Sequence, residues 1–182
     1  KSSAELLGAA SQVGTPVALL LADASHAATL AEQGAAQVLT VPAGDGLIVP
    51  GVDAVEAAAA LVQPDAVILA QSPDGKDIAA RYAARSRGAV SVDAIGVARD
   101  DLGVVANHSV YGGAYNSVST ATFGAPVITL RQGSVDARAA AQPLQEVALE
   151  VTASGKPQAQ VLSFDEETKT STRPELRGAA KV

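Results

Sequence analysis

The sequence predicts an α/β protein of three layers, with a mostly parallel sheet between helices and an antiparallel extension. Three observations predict it. Asp65–Asp93 reads as strand, loop, helix and strand, the unit of a parallel sheet with a right-handed crossover. From Ser2 to Asp93, helical and strand patterns alternate, which calls for a parallel sheet covered on both faces. After Asp93 the rhythm changes to short strand-like runs separated by turn residues, the pattern of an antiparallel meander.

The elements follow in order. Ser2-Ser-Ala-Glu5 has the form of a capping box, in which Ser2 accepts from the Glu5 amide and Glu5 reaches back. Leu6, Leu7, Ala10 and Val13 share one helical face, and Gly14 and Pro16 end the helix. Val17–Leu21 is a buried strand. A chain that alternates in this way is expected to open on a strand, so one is expected upstream of Lys1. Ser25–Gln33 is a short helix stopped by Gly34, and Gln37–Val41 is a strand. Pro42–Gly51 is a loop with Gly44, Gly46 and Pro50 as breakers. Asp53 and Glu56 form a second capping pair, opening an Ala-rich helix that runs to Val62. Asp65–Gln71 is the central strand, Ser72–Asp77 a loop, Ile78–Arg87 a helix and Ala89–Val92 the next strand.

Ile95–Arg99, Val104–Val110, Tyr115–Ala121 and Pro126–Leu130 are the strands of the meander, with Asp100–Gly103 and Tyr111–Gly113 as turns. Val147–Val151 and Ala159–Phe164 read as edge strands. Asp165–Lys181 is polar and charged, with Pro174 against any long helix, and reads as a tail or linker. The expected organisation is one α/β domain over residues 1–164 and a linker over 165–182.

Composition narrows the function. The 182 residues are 48% hydrophobic but only 3% aromatic, and the formal charge is −6. Small aliphatic side chains suit close helix-on-sheet packing. Few aromatics and a net negative charge argue against nucleic-acid binding, which needs clustered cations and stacking platforms. With no cysteine, disulfides and cysteine-held metals are excluded. No apolar stretch is long enough to span a bilayer and no signal peptide is visible. The expected location is a reducing, bacterial cytoplasm, without membrane insertion.

The residues that could carry chemistry are few. Gly75, Lys76 and Asp77 follow the central strand at the carboxyl edge of the sheet, where open α/β folds place ligands. A glycine there permits close backbone approach, and the helix that follows offers free N–H groups to an anion. The same residues also fit a plain strand-to-helix connection with Asp74 as its cap. Lys76 sits where the helix dipole disfavours a cation, a hint of a partner. Arg81, Arg85 and Arg87 fit either contact with an acidic partner or a solvated face. Asp93 and Arg131 each break an apolar run at similar depth: either they face each other at the carboxyl edge, directly or through a network, or they are two unrelated strand-end charges. His26 and His108 have no metal-ligand companion at the usual spacing. There is no nucleophile elbow, and Gly44-Asp-Gly46 lacks the third glycine of a dinucleotide fingerprint. No catalytic residue and no metal ligand is expected.

Three stretches carry a resemblance. They are Ser72–Arg85 continuing to Ser91-Val-Asp93, then Val110–Ala114 with Val127–Arg131, and finally Thr172-Arg-Pro-Glu-Leu-Arg-Gly178 through Val182. In order and spacing they resemble the N-terminal domain of electron-transfer flavoprotein alpha subunits. The resemblance implies a Rossmann-like, adenine-nucleotide-hydrolase-like fold and an electron carrier rather than an enzyme. It implies a heterodimer with a beta subunit that keeps AMP, and FAD held mainly on a C-terminal domain whose Ser-Gly-Gly-Arg-Gly signature is absent here. It also implies electrons drawn from acyl-CoA-type dehydrogenases, as in fatty acid beta-oxidation, and passed to a quinone reductase or another acceptor. Gly75, Lys76 and Asp77 then correspond to a vestigial nucleotide loop, and the isolated domain could form a homodimer. The alternative is a stand-alone adenine-nucleotide-binding module of universal-stress type, whose glycine-rich phosphate loop is not found in the sequence.

Overall fold

A computed structural model describes residues 2–42, 44, 46–163 and 165. Helix α1 (Ser2–Val13) leads into strand β1 (Val17–Leu20). A 3-10 turn at Ala24–His26, capped by the Asp23 side chain, opens α2 (Ala27–Glu32). Strand β2 (Gln37–Thr40), α3 (Val49–Val62), β3 (Val67–Ala70), α4 (Pro73–Ser86) and β4 (Val90–Ala94) continue the alternation. Then come β5 (Gly96–Asp100), β6 (Gly103–Val110), β7 (Tyr115–Ser119), β8 (Val127–Leu130) and β9 (Glu146–Ala148).

The strands form three groups. β1, β2 and β9 are parallel, in that order. β3, β8 and β4 are parallel, with β8 in the middle. β5, β6 and β7 are antiparallel neighbours. The expected α/β architecture with an antiparallel extension is therefore present, with one change of topology. The run ending at Leu130 is not the last strand of the meander. It returns to the parallel sheet and separates β3 from β4, so the strand–helix–strand unit of Asp65–Asp93 spans one intervening strand. β8 is buried along its whole length and apolar but for Thr129, as a strand enclosed on both faces is expected to be.

Alternation along β8 builds the layers. Ile128 and Leu130 join α1 residues Ala9 and Val13 in one core, with Ala94, Val97 and Val104. Val127 points to the other face, into a core made by Val52, Val55, Ala79 and Tyr82 of α3 and α4. A third cluster, around Leu7, Ala27 and Val38, fixes α1 and α2 to the β1–β2 pair.

Several local expectations fail. Glu5 does not reach back to Ser2. Its side chain is buried and accepts the Gly133 N–H at 2.7 Å. Helix α3 starts at Val49, so Pro50 lies in its first turn, where the missing N–H costs nothing. Asp53 is thus inside the helix and is not its cap. The segment Ser72–Asp77 is not a loop: Ser72 is the N-cap of α4 and its Oγ accepts the Gly75 N–H at 3.0 Å, so Asp74 is not the cap either. The edge strand expected at Val147–Val151 exists but is short and lies at Glu146–Ala148. Residues 159–163 form no strand, and Phe164 lies outside the described residues, as does all of the expected linker except Asp165.

Candidate functional site

The carboxyl ends of β3, β8 and β4 carry a connected polar network. Thr129, fully buried on β8, donates to Gln71 Oε1 just beyond β3. Its Oγ1 in turn accepts the Asp93 N–H at 3.0 Å. Asp93 sits at an irregularity in the β4–β8 pairing and has a left-handed backbone (φ 62°), uncommon for a residue other than glycine. That turn of the backbone delivers its carboxylate to Arg131, which ends β8. Arg131 Nε donates to Asp93 Oδ1 at 2.9 Å and Nη2 to Oδ2 at 2.6 Å, a two-pronged pair. Asp93 and Arg131 therefore do face each other at the carboxyl edge, the first of the two readings that their positions in the sequence allow.

The guanidinium of Arg131, by hydrogen bond and by charge, holds the Asp93 carboxyl below its ordinary value, with the charges of His108 and Lys76 adding to the effect. Asp93 in turn raises Arg131. A carboxylate held ionised by a guanidinium that does not deprotonate moves no proton near neutrality. The pair is a fixed polar lock, not acid–base machinery.

An open cleft lies over the lock, lined by Asp93, Arg131, Ser109 and the turn Val110–Gly113. Arg131 Nη2 also reaches the Ser109 carbonyl at 3.4 Å. The turn has three successive positive φ angles, at Tyr111, Gly112 and Gly113, and presents Tyr111 outward against Tyr115, edge to face at 5.9 Å. Deeper in the sheet, His108 Nε2 and Ser119 Oγ are 2.8 Å apart, and Ser119 Oγ and Ser91 Oγ are 2.8 Å apart. This chain ties β6 and β7 to β4. Among the described residues no three metal-ligating side chains come together.

Gly75, Lys76 and Asp77 lie in the first turn and a half of α4. A side chain at Gly75 would meet the Ala70 carbonyl oxygen at 2.0 Å. The glycine is therefore needed where α4 crosses the end of β3, and its open side is filled by protein. Lys76 and Asp77 are exposed. Of the three helix cations, Arg85 is neither solvated nor free for a partner. It donates to Asp53 at 2.5 Å and to Glu56 at 3.2 Å, binding α4 to α3. Arg87 takes the left-handed position that ends α4, and Arg81 is exposed.

Sequence reasoning missed Thr129 and Gln71. A signal existed, since Thr129 is the polar residue within Val127-Ile-Thr-Leu130, and a hydroxyl in a fully buried strand must find a partner.

The family model for the electron transfer flavoprotein domain matches residues 1–166. The chain belongs to the electron transfer flavoprotein family. It is 36% identical over 163 residues to the electron transfer flavoprotein subunit alpha of Mycobacterium tuberculosis, covering 86% of this chain and 50% of that protein. It is 35% identical to the corresponding subunit of Mycobacterium leprae, covering 100% of this chain and 58% of that one. The chain thus spans about half the length of the curated relatives it matches. No helix among the described residues is long and apolar enough to cross a membrane.

The groups at the carboxyl edge that could meet an anionic cofactor are engaged by the protein itself. Arg131 is engaged by Asp93, the Gly75 N–H by Ser72, and the approach to Gly75 by Ala70.

Proposed function

We propose that this chain is the N-terminal scaffold and dimerisation domain of an electron-transfer flavoprotein alpha subunit. In this reading the whole complex is a heterodimer that carries electrons on FAD from acyl-CoA-type dehydrogenases to a quinone reductase or another acceptor. The flavin is held mainly by a C-terminal domain, and AMP by the beta subunit. Residues 1–164 are the domain, and 165–182 lead toward the flavin domain. Gly75, Lys76 and Asp77 are the remnant of a nucleotide loop, turned to helix–strand packing. The electron-carrying role is one of transport between other enzymes, in the cytoplasm of a bacterium.

One observation carries the scaffold reading. The antiparallel extension and the strand beside it leave several apolar side chains exposed. Tyr111 is 85% exposed, Tyr115 66% and Val118 65%, and Val90, Val92 and Val110 are exposed nearby on β4 and β6. Large exposed apolar side chains gathered on one part of the fold suit a protein interface, and the adjacent tyrosines Tyr111 and Tyr115 suit one too. A beta subunit is the occupant the family supplies. Where it is missing, two copies of this chain could share the same face as a homodimer.

The test is co-expression with the neighbouring beta subunit, read by affinity capture and absorbance. The expected result is capture of the beta subunit by a colourless 182-residue chain, weakened at least about tenfold by Val118→Lys, and a yellow complex when the gene is extended past Val182. Failure of capture, or flavin or adenine nucleotide copurifying with the 182-residue chain alone, would overturn it.

A further inference from the structure

Beyond β8 the chain runs over the body as an extended strap, and the strap changes character at Leu149. Up to that residue it is held by close packing and by the backbone. Ala137 lies against Gly8, where a side chain would meet its carbonyl oxygen at 2.0 Å, and Ala139 lies against Gly34 in the same way. The Gln142 N–H donates to the Ala31 carbonyl at 2.9 Å, and the Val38 N–H to the Gln145 carbonyl at 2.8 Å. β9 then pairs with β2, and the Leu149 N–H donates to the Thr40 carbonyl at 3.0 Å. After Leu149 this kind of hold ends. Residues 150–163 form no helix or strand, and every residue from Thr152 to Ser163 is exposed, Val161 and Leu162 included. An extended segment without an apolar anchor regains backbone freedom at each residue released, so polar contacts must keep it in place.

Ser154 supplies them. Its N–H donates to Asp53 Oδ2 at 2.9 Å, and its Oγ accepts Arg85 Nη2 at 3.2 Å. The Lys156 N–H turns back to the same Oγ at 3.4 Å, a local turn that presents the serine to the body. The α3–α4 pair makes a matching receptor. Asp53 Oδ1 is taken by Arg85 Nη1, which leaves Oδ2 for an N–H. Arg85 Nη1 is shared between Asp53 and Glu56, which leaves Nη2 for an oxygen. One acceptor and one donor thus stand together, and the amide and hydroxyl of a single serine answer both. Asp53 is otherwise out of place, a carboxylate 5% exposed inside the apolar helix Val49–Val62. A buried ion pair adds little stability over apolar side chains of the same size, so its use lies in what it binds.

We infer that Asp53 and Arg85 form a latch for Ser154, and that the strap beyond Leu149 is a lid that the latch holds shut. Closed, the lid lies along the first half of α3 and over the loop between β2 and α3, where the Gln158 side chain fills the space that a side chain at Gly46 would take. Open, it swings about Glu150, between the last backbone bond to β2 and the latch, while β9 stays paired. The two states differ by the few polar contacts of one serine and by the docking of Gln158, with no core to repack, which is what a readily reversible movement requires. Opening uncovers the loop and the first turns of α3 at the carboxyl edge of the sheet. The latch concerns a movement within this chain and does not depend on the scaffold role.

The test reads the distance between lid and body in the 182-residue chain. The sequence has no cysteine, so spin labels at Ala60→Cys on α3 and Gln160→Cys on the lid, both exposed positions, are unique, and double electron–electron resonance gives their separation. A closed latch gives one narrow distribution. Ser154→Pro removes the amide proton and the hydroxyl together and leaves the Asp53–Arg85 pair untouched; it is expected to widen the distribution at least about twofold. Ser154→Thr keeps both groups and is expected to leave the distribution narrow. Asp53→Ala breaks the latch from the body side, is expected to widen the distribution as the proline does, and serves if the proline variant fails to fold. A distribution that stays narrow in Ser154→Pro and Asp53→Ala, or one equally broad before either change, would overturn the inference. Hydrogen exchange at the Leu149 amide is expected to stay slow in Ser154→Pro, because β9 lies on the near side of the hinge. A rise there of more than about tenfold would also overturn it, since strand and strap would then leave as one unit.

Discussion

Arg85→Ala is the most informative single change in this fold. Asp53 lies inside α3 with its side chain 5% exposed, while Arg85, on α4, is 19% exposed. The carboxylate receives Arg85 Nη1 at 2.5 Å and the Ser154 N–H at 2.9 Å, so it joins three parts of the chain. Removing one partner of a buried ion pair costs about 3–5 kcal/mol, because the other charge stays behind unpaired. Here the Ser154 amide remains and water reaches the edge of the site, so about 2–3 kcal/mol is expected. Arg131→Ala is the control. Its pair with Asp93 is 42% exposed on each side, and solvent screening leaves such pairs about 0.5–1 kcal/mol. With a urea slope of about 2 kcal/mol per molar, Arg85→Ala should lower the unfolding midpoint by about 1–1.5 M and Arg131→Ala by less than about 0.5 M.

The pH dependence adds a second reading of the same pair. Burial pushes the Asp53 carboxyl up, but the hydrogen bonds from Arg85 and Ser154 outweigh it and hold the group below its ordinary 3.8. The unfolded chain then binds this proton more readily than the folded one. Its contribution is complete above about pH 4–5 and is lost as the pH falls through the folded value. Arg85→Ala should flatten the acid limb of the stability curve, and Arg131→Ala should leave most of it. Equal midpoint shifts for the two variants, or an unchanged acid limb, would refute the reasoning.

Three further outcomes follow from the same geometry. Gly75→Ala should destabilise the chain by about 1–3 kcal/mol in urea, because its Cβ would meet the Ala70 carbonyl oxygen at 2.0 Å; helix propensity alone predicts about 1 kcal/mol of gain, so the sign decides. Glu5→Ala should cost about 0.5–1.5 kcal/mol by removing the acceptor of the Gly133 N–H, and exchange at Gly133 should rise, whereas a merely local capping role would leave that amide unmoved. A double-mutant cycle of Asp93→Asn and Arg131→Ala should give a coupling of no more than about 1 kcal/mol, with calorimetry as the check; several kcal/mol would mean the lock is far less screened than its exposure indicates.

How much of this was legible depends on how far away each residue's partner lies. The alternation from Ser2 to Asp93 is written in local periodicity, and the parallel sheet follows from it. The Asp93–Arg131 pair could be read because two charges ended two apolar runs at one depth, and the parallel arrangement brings such ends together. The start of α4 could not be read in the same way. Ser72-Pro-Asp-Gly75 is turn chemistry and helix-start chemistry at once, and the deciding fact is that Gly75 lies against Ala70. Glu5 and Asp53 sit in sequences that fit capping pairs. Their true partners are Gly133 and Arg85, and no window of adjacent residues contains either.

β8 likewise departs from its neighbours in sequence. Val127–Leu130 follows three antiparallel strands, and adjacency in sequence favours a fourth. Its composition argues otherwise. β7 is exposed along most of its length, while all four residues of β8 are buried. A meander edge exposed on one face needs alternation, whereas a strand between two parallel neighbours needs none. Thr129, whose hydroxyl is spent on Gln71 and Asp93, is the residue that marks β8 as central. The polar residue in an otherwise apolar run thus reports which strands flank it, and it does so at the carboxyl edge, where the lock and the cleft above it are built.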